Sequence, residues 1–313
     1  MAIGITIGDP AGIGPEVTLK ALTALQLPNH AVKLFGSRTI WTRVAEQLHL
    51  PIPYEIVDIP TPADIKVGHP SAAAGKLSYD AFVTAVNAAL RGTIRGLVTA
   101  PINKYSWHLS SIHYAGHTEL LAKLTHAPHY AMLMLSPKLR VTLVTTHIPI
   151  RSVADALTAT AIIEKARLTH TFLTHYLNIT TPQIAVLGLN PHASDHGVIG
   201  DEELHIILPA IQELQQLGYH VSGPYPADSY FARHTADAII AMYHDQGLIP
   251  VKLTSFGRAI NVTLGLPFIR TSPDHGTAYE IAGRGIADHS SMLEAIKSCY
   301  EWSQKVSPWT STI

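Results

Sequence analysis

Short, nearly uninterrupted apolar runs alternate with amphipathic stretches along almost the whole chain. Residues 3–7, 32–35, 54–57, 97–99, 131–135, 141–145, 184–187 and 238–242 read as strands. Most are too continuously apolar to lie half-exposed, as expected of central strands covered on both faces. Between them the period becomes helical. Ile162, Ala166, Thr169, Leu173 and Tyr176 form one apolar face. Leu204, Ile207, Leu208, Ile211 and Leu214 form another, in which Pro209 predicts a kink or a late first turn. An Ala-rich long helix is expected over 72–90 and a last helix over 294–302. This alternation predicts α/β architecture with at least one open, largely parallel sheet. No internal repeat, low-complexity tract or Gly/Ser-rich linker divides the chain. The Pro-rich stretch 51–70 reads as a long surface connection, so two domains would be tightly joined and discontinuous.

Composition narrows the class. The 313 residues suffice for one large or two moderate domains. Charged residues make up 14%, against about 25% on average, which suggests that much of the surface is covered by another subunit. A formal net charge of -1 argues against nucleic-acid binding. Cys299 is the single cysteine, which excludes intrachain disulfides and cysteine-based zinc sites and fits a reducing cytoplasm. No signal-peptide pattern and no run of about 18 apolar residues is present, so no membrane span is expected. Histidines number 19, which supplies ligands but weakens the case for any one of them. His30, His49, His126 and His129 read as incidental surface residues.

Candidate chemistry gathers at the ends of the strand-like runs. Gly8-Asp9-Pro10-Ala11-Gly12-Ile13-Gly14-Pro15-Glu16 follows a strand and opens a helix. Gly12 and Gly14 there allow close backbone approach, and the helix start offers unpaired N–H groups to a cofactor or anion. It equally reads as a tight strand-to-helix turn. His147, His192 and His244 each stand just beyond a buried run, where open α/β sheets bind ligands. Three imidazoles there can form a cation site with open positions. The alternative is that each caps its own loop, and their separations match no local zinc signature. The segment Tyr243-His244-Asp245-Gln246-Gly247 through Lys252 reads as a strand end, a Gly turn and a loop carrying metal ligand, acid–base partner and anion binder together. In Ala115-Gly116-His117-Thr118-Glu119, His117 and Thr118 are substrate donors or, as readily, part of a plain helix cap. Lys252, Asn261 and Arg270 supply a point charge, a neutral donor and a planar fork suited to carboxylate or phosphate.

In this order, residues 8–16, 99–104, 116–119, 146–149, 189–192, 243–252 and 261–277 resemble the 4-hydroxythreonine-4-phosphate dehydrogenase family of pyridoxal phosphate biosynthesis. The resemblance covers essentially the whole chain. It implies an α/β fold similar to isocitrate and isopropylmalate dehydrogenases, whose Gly-Asp-Gly-Ile-Gly-Pro-Glu is echoed at 8–16. Two domains of largely parallel sheet are expected, 1–130 with 265–313 and 131–264, with the site in the cleft between them. By the resemblance His147, His192 and His244 occupy metal-ligand positions. His117, Thr118, Lys252, Asn261 and Arg270 occupy substrate-binding positions. The family's site lies at a homodimer interface, with one metal ligand from the partner. This chain departs at 194–195: after Ala193 a Gly-Glu pair is expected, and Ser194-Asp195 stands instead.

The resemblance further implies oxidation of 4-(phosphooxy)-L-threonine at C3, with NAD, or alternatively NADP, as acceptor. The 2-amino-3-oxo acid so formed loses CO₂ to give 3-amino-2-oxopropyl phosphate. A divalent cation would act as Lewis acid. Imidazole ligands suit Zn²⁺, Co²⁺ or Mn²⁺, and Mg²⁺ less well. Asp245, Lys104 and Asp274 are the candidates for general base or for support of the ligands. Two other readings remain open. Paralogues with the same motifs oxidise 4-phosphothreonate or 4-phosphoerythronate, and motifs do not separate them. A phosphate acyltransferase of related fold would need neither a redox cofactor nor a three-histidine site.

Overall fold

The computed structural model describes residues 2–61, 64–114, 116–255 and 257–305. Ala115 of the second histidine motif therefore lies outside the described residues, as do residues 62–63 of the Pro-rich connection. The chain forms two compact units, Met1–Pro128 with Leu266–Ile313, and His129–Gly265.

The first unit opens with β1 (Ile3–Thr6), α1 (Gly14–Leu25), β2 (Val32–Gly36), α2 (Arg38–Leu48) and β3 (Glu55–Asp58). It continues with α3 (Ala72–Leu90), β4 (Gly96–Thr99), α4 (Lys104–Leu109) and α5 (His117–Thr125). The second unit follows: β5 (Ala131–Leu135), β6 (Arg140–Leu143), α6 (Val153–Ala156), α7 (Ala159–Leu177), β7 (Ile184–Leu187), α8 (Leu208–Gln216) and β8 (Val221–Tyr225). It ends with α9 (Ala227–Arg233), β9 (Ala238–Ala241), α10 (His244–Ser255) and β10 (Ile260–Leu264). The chain then returns to the first unit with β11 (Ile269–Pro273) and α11 (Ser290–Ser303).

Strands of the first unit run in the order β3-β2-β1-β4-β11 and are parallel throughout. β1 is buried along its whole length, as the continuous apolar run predicts. The second unit orders its strands β10-β5-β6-β9-β7-β8. β5 is antiparallel to both neighbours, and the remaining pairs are parallel. Its core gathers Met134, Leu139, Val141, Leu143, Leu187, Ile239 and Val251.

The structure departs from the sequence expectation at α10 and at three strands, and it decides between the two outcomes expected at Pro209. The segment from His244 to Lys252 is the helix α10, not a loop at a Gly turn. Gly247 serves packing instead: a Cβ there would stand 2.6 Å from Leu143 Cδ2. Of the two outcomes expected at Pro209, a kink or a late first turn, the late first turn is the one found. Pro209 sits in the first turn of α8, and a π turn, Glu203–Ile207, precedes it. β8, β10 and β11 are strands that the apolar pattern does not announce, because Pro224, Asn261 and Arg270 interrupt it. No helix among the described residues is long and apolar enough to cross a membrane.

Candidate active site

In the second unit the strand ends bring His147 and His244 together. β6 and β9 are parallel neighbours, with Leu143 paired to Ala241. Beyond the strands the pairing continues, as the Val144 and Thr145 amides donate to Ala241 and Met242. The Thr145 hydroxyl also donates to the Met242 carbonyl, at 2.7 Å. The chains leaving this clamp place the His147 and His244 rings 5.7 Å apart, tilted by 45°. Both line a recess of about 270 Å³ with Thr146, Ile148, Tyr243 and Asp245. Asp245 lies 2.7 Å from His244 Nδ1. A carboxylate accepts this bond, so Nδ1 carries the proton, and in the neutral ring Nε2 is then the lone-pair donor. That is the arrangement by which a carboxylate orients a metal-binding imidazole.

Gln246 buttresses this corner. Its Oε1 accepts the Met242 amide at 2.7 Å, and its Nε2 donates to the Gly188 carbonyl at 2.7 Å. The ends of β9 and β7 are thereby tied together. After β7 the chain is gripped by Glu203, which is 1% exposed. Its Oε1 accepts the Leu189 and Asn190 amides, and its Oε2 accepts the Asn190 side chain.

His192 stands exposed in the turn that follows. Residues His192, Ala193, Ser194, Asp195 and His196 all have positive φ, from 46° to 68°. Left-handed backbone costs an L-residue about 1–2 kcal/mol, so this turn persists only because its surroundings enforce it. Among the described residues no group of three His, Cys, Asp or Glu side chains that could hold a metal ion assembles within the chain. His192 therefore does not join His147 and His244 in such a group. Lys252 is exposed in the last turn of α10, and Asn261 lies in β10 with its Oδ1 buried.

The first unit holds a cluster of opposite character. Arg270 emerges from β11 and is 2% exposed. Its Nη2 donates to Thr99 Oγ1 at 2.5 Å and approaches His117 Nδ1 at 3.3 Å. Guanidinium has no acceptor, so His117 Nδ1 must accept and the ring proton sits on Nε2. Burial, and then the charge of Arg270, hold the His117 pKa well below the usual histidine range. The imidazole is thus neutral. Its Nε2 is covered and has no acceptor among the described residues. Phe82 lies over the ring at 4.7 Å, and Trp107 meets it edge-on at 5.8 Å. Burial lowers the Arg270 pKa to about 9, which leaves it charged at neutral pH.

His117 and Thr118 are the first residues of α5, whose opening amides suit an anion. Lys104, exposed at the start of α4, stands near the same helix start, with its Cε 3.7 Å from where a Cβ on Gly116 would lie. Asp274 directly follows β11, its amide donating to Ser291 Oγ at 2.9 Å.

Gly12 and Gly14 do permit close approach, but to the chain itself. A Cβ on Gly12 would fall 2.7 Å from Thr277 O, and one on Gly14 would fall 2.7 Å from Ile7 O. The residue of this motif with most contacts to explain is Asp9, wholly buried and given no role by sequence reasoning. It accepts the Ala11 amide at 2.9 Å and the Tyr279 hydroxyl at 2.8 Å. Tyr279 in turn lies 3.2 Å from Ser106 Oγ on α4. Burial raises the Asp9 pKa despite these bonds. Asp9, Tyr279, Glu203 and Gln246 were not singled out by the sequence, although Asp9 and Gln246 lie inside its motifs.

The α/β fold thus carries polar side chains past its strand ends and a buried guanidinium in β11, an arrangement suited to a small acidic ligand. Residues 8–299 match the family of the pyridoxal phosphate biosynthetic protein PdxA. The 4-hydroxythreonine-4-phosphate dehydrogenase of Sulfurihydrogenibium sp. is 43% identical, over 94% of this chain and 96% of its own. The D-threonate 4-phosphate dehydrogenase of Salmonella typhimurium is 42% identical, over 94% of this chain and 97% of its own. The crystal structure of 4-hydroxythreonine-4-phosphate dehydrogenase from Klebsiella pneumoniae matches with a TM-score of 0.86 at 38% identity, covering 97% of this chain and 98% of that one. The chain belongs to the PdxA family, whose relatives named here are dehydrogenases.

Proposed function

We propose that this chain is a divalent-metal-dependent dehydrogenase that oxidises 4-(phosphooxy)-L-threonine at C3, with NAD as acceptor. The observation that carries the metal-dependent reading is the His147–His244 pair with Asp245 bonded to His244 Nδ1. Two imidazoles lining one recess, one of them oriented by a carboxylate, suit Zn²⁺, Co²⁺ or Mn²⁺. They are two of the three that the sequence motifs call for. We assign the third to a homodimer, in which a second copy completes the set. When bound, the cation supplies the Lewis acidity that lowers the pKa of the substrate's C3 hydroxyl.

Oxidation removes the C3 hydride and the hydroxyl proton. Bound NAD would take up the hydride, and the proton would pass to a base for which Lys104 and Asp274 are the candidates. Asp245 is engaged in holding His244 and serves as its support. The 2-amino-3-oxo acid that results is a β-keto acid, and it loses CO₂ to leave 3-amino-2-oxopropyl phosphate. Arg270, the His117 Nε2–H and the amides opening α5 suit the phosphate group, with Thr118 beside them. Lys252 and Asn261 are assigned to substrate by motif position alone. Gly12 and Gly14 hold their loop against Thr277 and Ile7, so the NAD assignment stands on the family's chemistry. The single buried cysteine accords with a cytoplasmic enzyme.

A second reading has equal support from similarity. A relative named for D-threonate 4-phosphate is as close as those named for 4-hydroxythreonine 4-phosphate. NADH formation should be measured with 4-phosphothreonine, 4-phosphothreonate and 4-phosphoerythronate, with and without chelator. The proposal expects 4-phosphothreonine to be turned over best and every activity to vanish with chelator. Preference for a sugar-acid phosphate would move the assignment to the second reading. Chelator-insensitive turnover by protein shown to be metal-free would refute the metal site.

A further inference from the structure

The first unit holds another cavity, between α1, α2 and the loop before α11. Its volume is about 110 Å³, and Pro15, Arg43, Gln47, Leu48, Val67 and Arg284 line it. None of the residues assigned above to substrate, metal or base is among its lining. The loop is fastened in place. Gly283 and Gly285 take left-handed φ of 74° and 69°, which glycine adopts freely. A Cβ on Gly283 would stand 3.0 Å from Val67 Cγ1. Lys20 Nζ donates to the Gly285 and Ala287 carbonyls at 2.9 and 3.0 Å. Glu16 Oε1 accepts Lys20 Nζ at 2.7 Å and the Ala287 amide at 2.8 Å. Glu16 is the one carboxylate among the lining residues, and Lys20 neutralises it.

Two guanidinium groups remain. Neither Arg43 nor Arg284 makes an ion pair among the described residues. Arg43 is half-buried, and its Nε and Nη2 are covered and have no acceptor among the described residues. Guanidinium is always charged and only donates. Covered donors without an acceptor are rare in folded proteins and call for a partner. Arg284 is exposed and brings a second positive charge to the same cavity. We propose that this cavity is a second anion site, which takes the phosphate of a phosphate monoester. Phosphate offers several acceptor oxygens, and guanidinium forks bind it bidentately. The cavity has the space of several waters, enough for the phosphate group while the rest of the ligand stays outside. The 2′-phosphate of NADP and a free phosphate monoester share this chemistry. The inference is independent of the metal reading.

The test uses the full-length chain and its Arg43→Gln and Arg284→Gln variants, titrated calorimetrically with inorganic phosphate. A charge-assisted bond corresponds to about 10–200-fold in affinity. Each variant should bind phosphate that much more weakly at this site. Arg284 is exposed, so Arg284→Gln keeps the test open should Arg43→Gln fold poorly. Phosphate binding that both variants retain and Arg270→Lys loses would overturn this site and leave the proposed function standing. Fluorescence titration with NADPH and NADH separates the two sources. Tighter binding of NADPH, lost in Arg43→Gln, would assign the site to the 2′-phosphate. Equal binding of the two, with phosphate affinity still dependent on both arginines, would assign it to a free monoester. Wild type that binds neither phosphate nor NADPH more tightly than the variants do would overturn the proposal.

Discussion

In the first unit the candidate anion-binding side chains Arg270 and His117 are interior. Arg270 is 2% exposed, the Nε2 of His117 is covered, and Phe82 and Trp107 wall the imidazole in. In the second unit His147, His192 and Asp245 stand at the surface, and the scaffold behind them, Thr145, Ser194 and Glu203, is buried. The contrast follows the ligand each is suited to receive. An anion gains from donors already desolvated and aimed, because electrostatic attraction is stronger away from water. A cation needs lone pairs that it can reach. Precision in the second cluster therefore comes from beneath, through the Asp245, Gln246 and Glu203 bonds.

The largest effect is expected from removing an exposed ligand. His244→Ala should lower kcat/KM by more than the roughly 10–100-fold typical of losing a ligand's support, and elemental analysis should show that metal goes with it. His147→Ala should act alike, and the double variant should be scarcely worse than either, since both serve one site. Retained metal with lost activity would detach these residues from a metal site. Asp245→Asn should be milder, weakening metal affinity by about tenfold or somewhat more, with thermal stability unchanged because Asp245 is exposed. An equal loss of stability would make Asp245 a fold residue.

The interior cluster should instead respond through stability. Arg270→Met leaves Thr99 and His117 without their donor, at a cost of about 1–3 kcal/mol, read as a lowered denaturant midpoint. His117 supplies a smaller, pH-dependent effect. Its folded pKa lies below the unfolded value of about 6.5, so the unfolded state binds more protons. Its contribution is fully present above about pH 6.5 and is lost as pH falls from there toward the folded pKa. Wild type should thus lose more stability than His117→Gln between pH 7 and pH 5.5. Equal losses would mean that His117 is not held neutral.

The continuous apolar runs announced most strands, because a covered central strand has no polar face to interrupt the pattern. Arg270 broke that rule. A guanidinium in the middle of a buried strand erases the strand signal, and β11 went unseen while the residue itself stood out as an anion binder. His244 was marked as a candidate ligand, but its helix was hidden by Gly247 and Pro250, two residues that elsewhere end helices. Leu143 explains the first of them, and it lies far away in sequence. Glu203 and Gln246 were illegible for the same reason: each binds backbone groups of another loop, and nothing local marks them.

The proposed function assigns the phosphate to the interior cluster and the oxygen being oxidised to the exposed one. Its most direct test is kcat/KM of wild type and Arg270→Lys, each with 4-(phosphooxy)-L-threonine and with unphosphorylated 4-hydroxythreonine. A charge-assisted bond corresponds to about 10–200-fold. Arg270→Lys should lose that much with the phosphorylated substrate and little with the other, which wild type itself should use poorly. Equal turnover of both substrates by wild type, or an equal loss on both in the variant, would contradict the account.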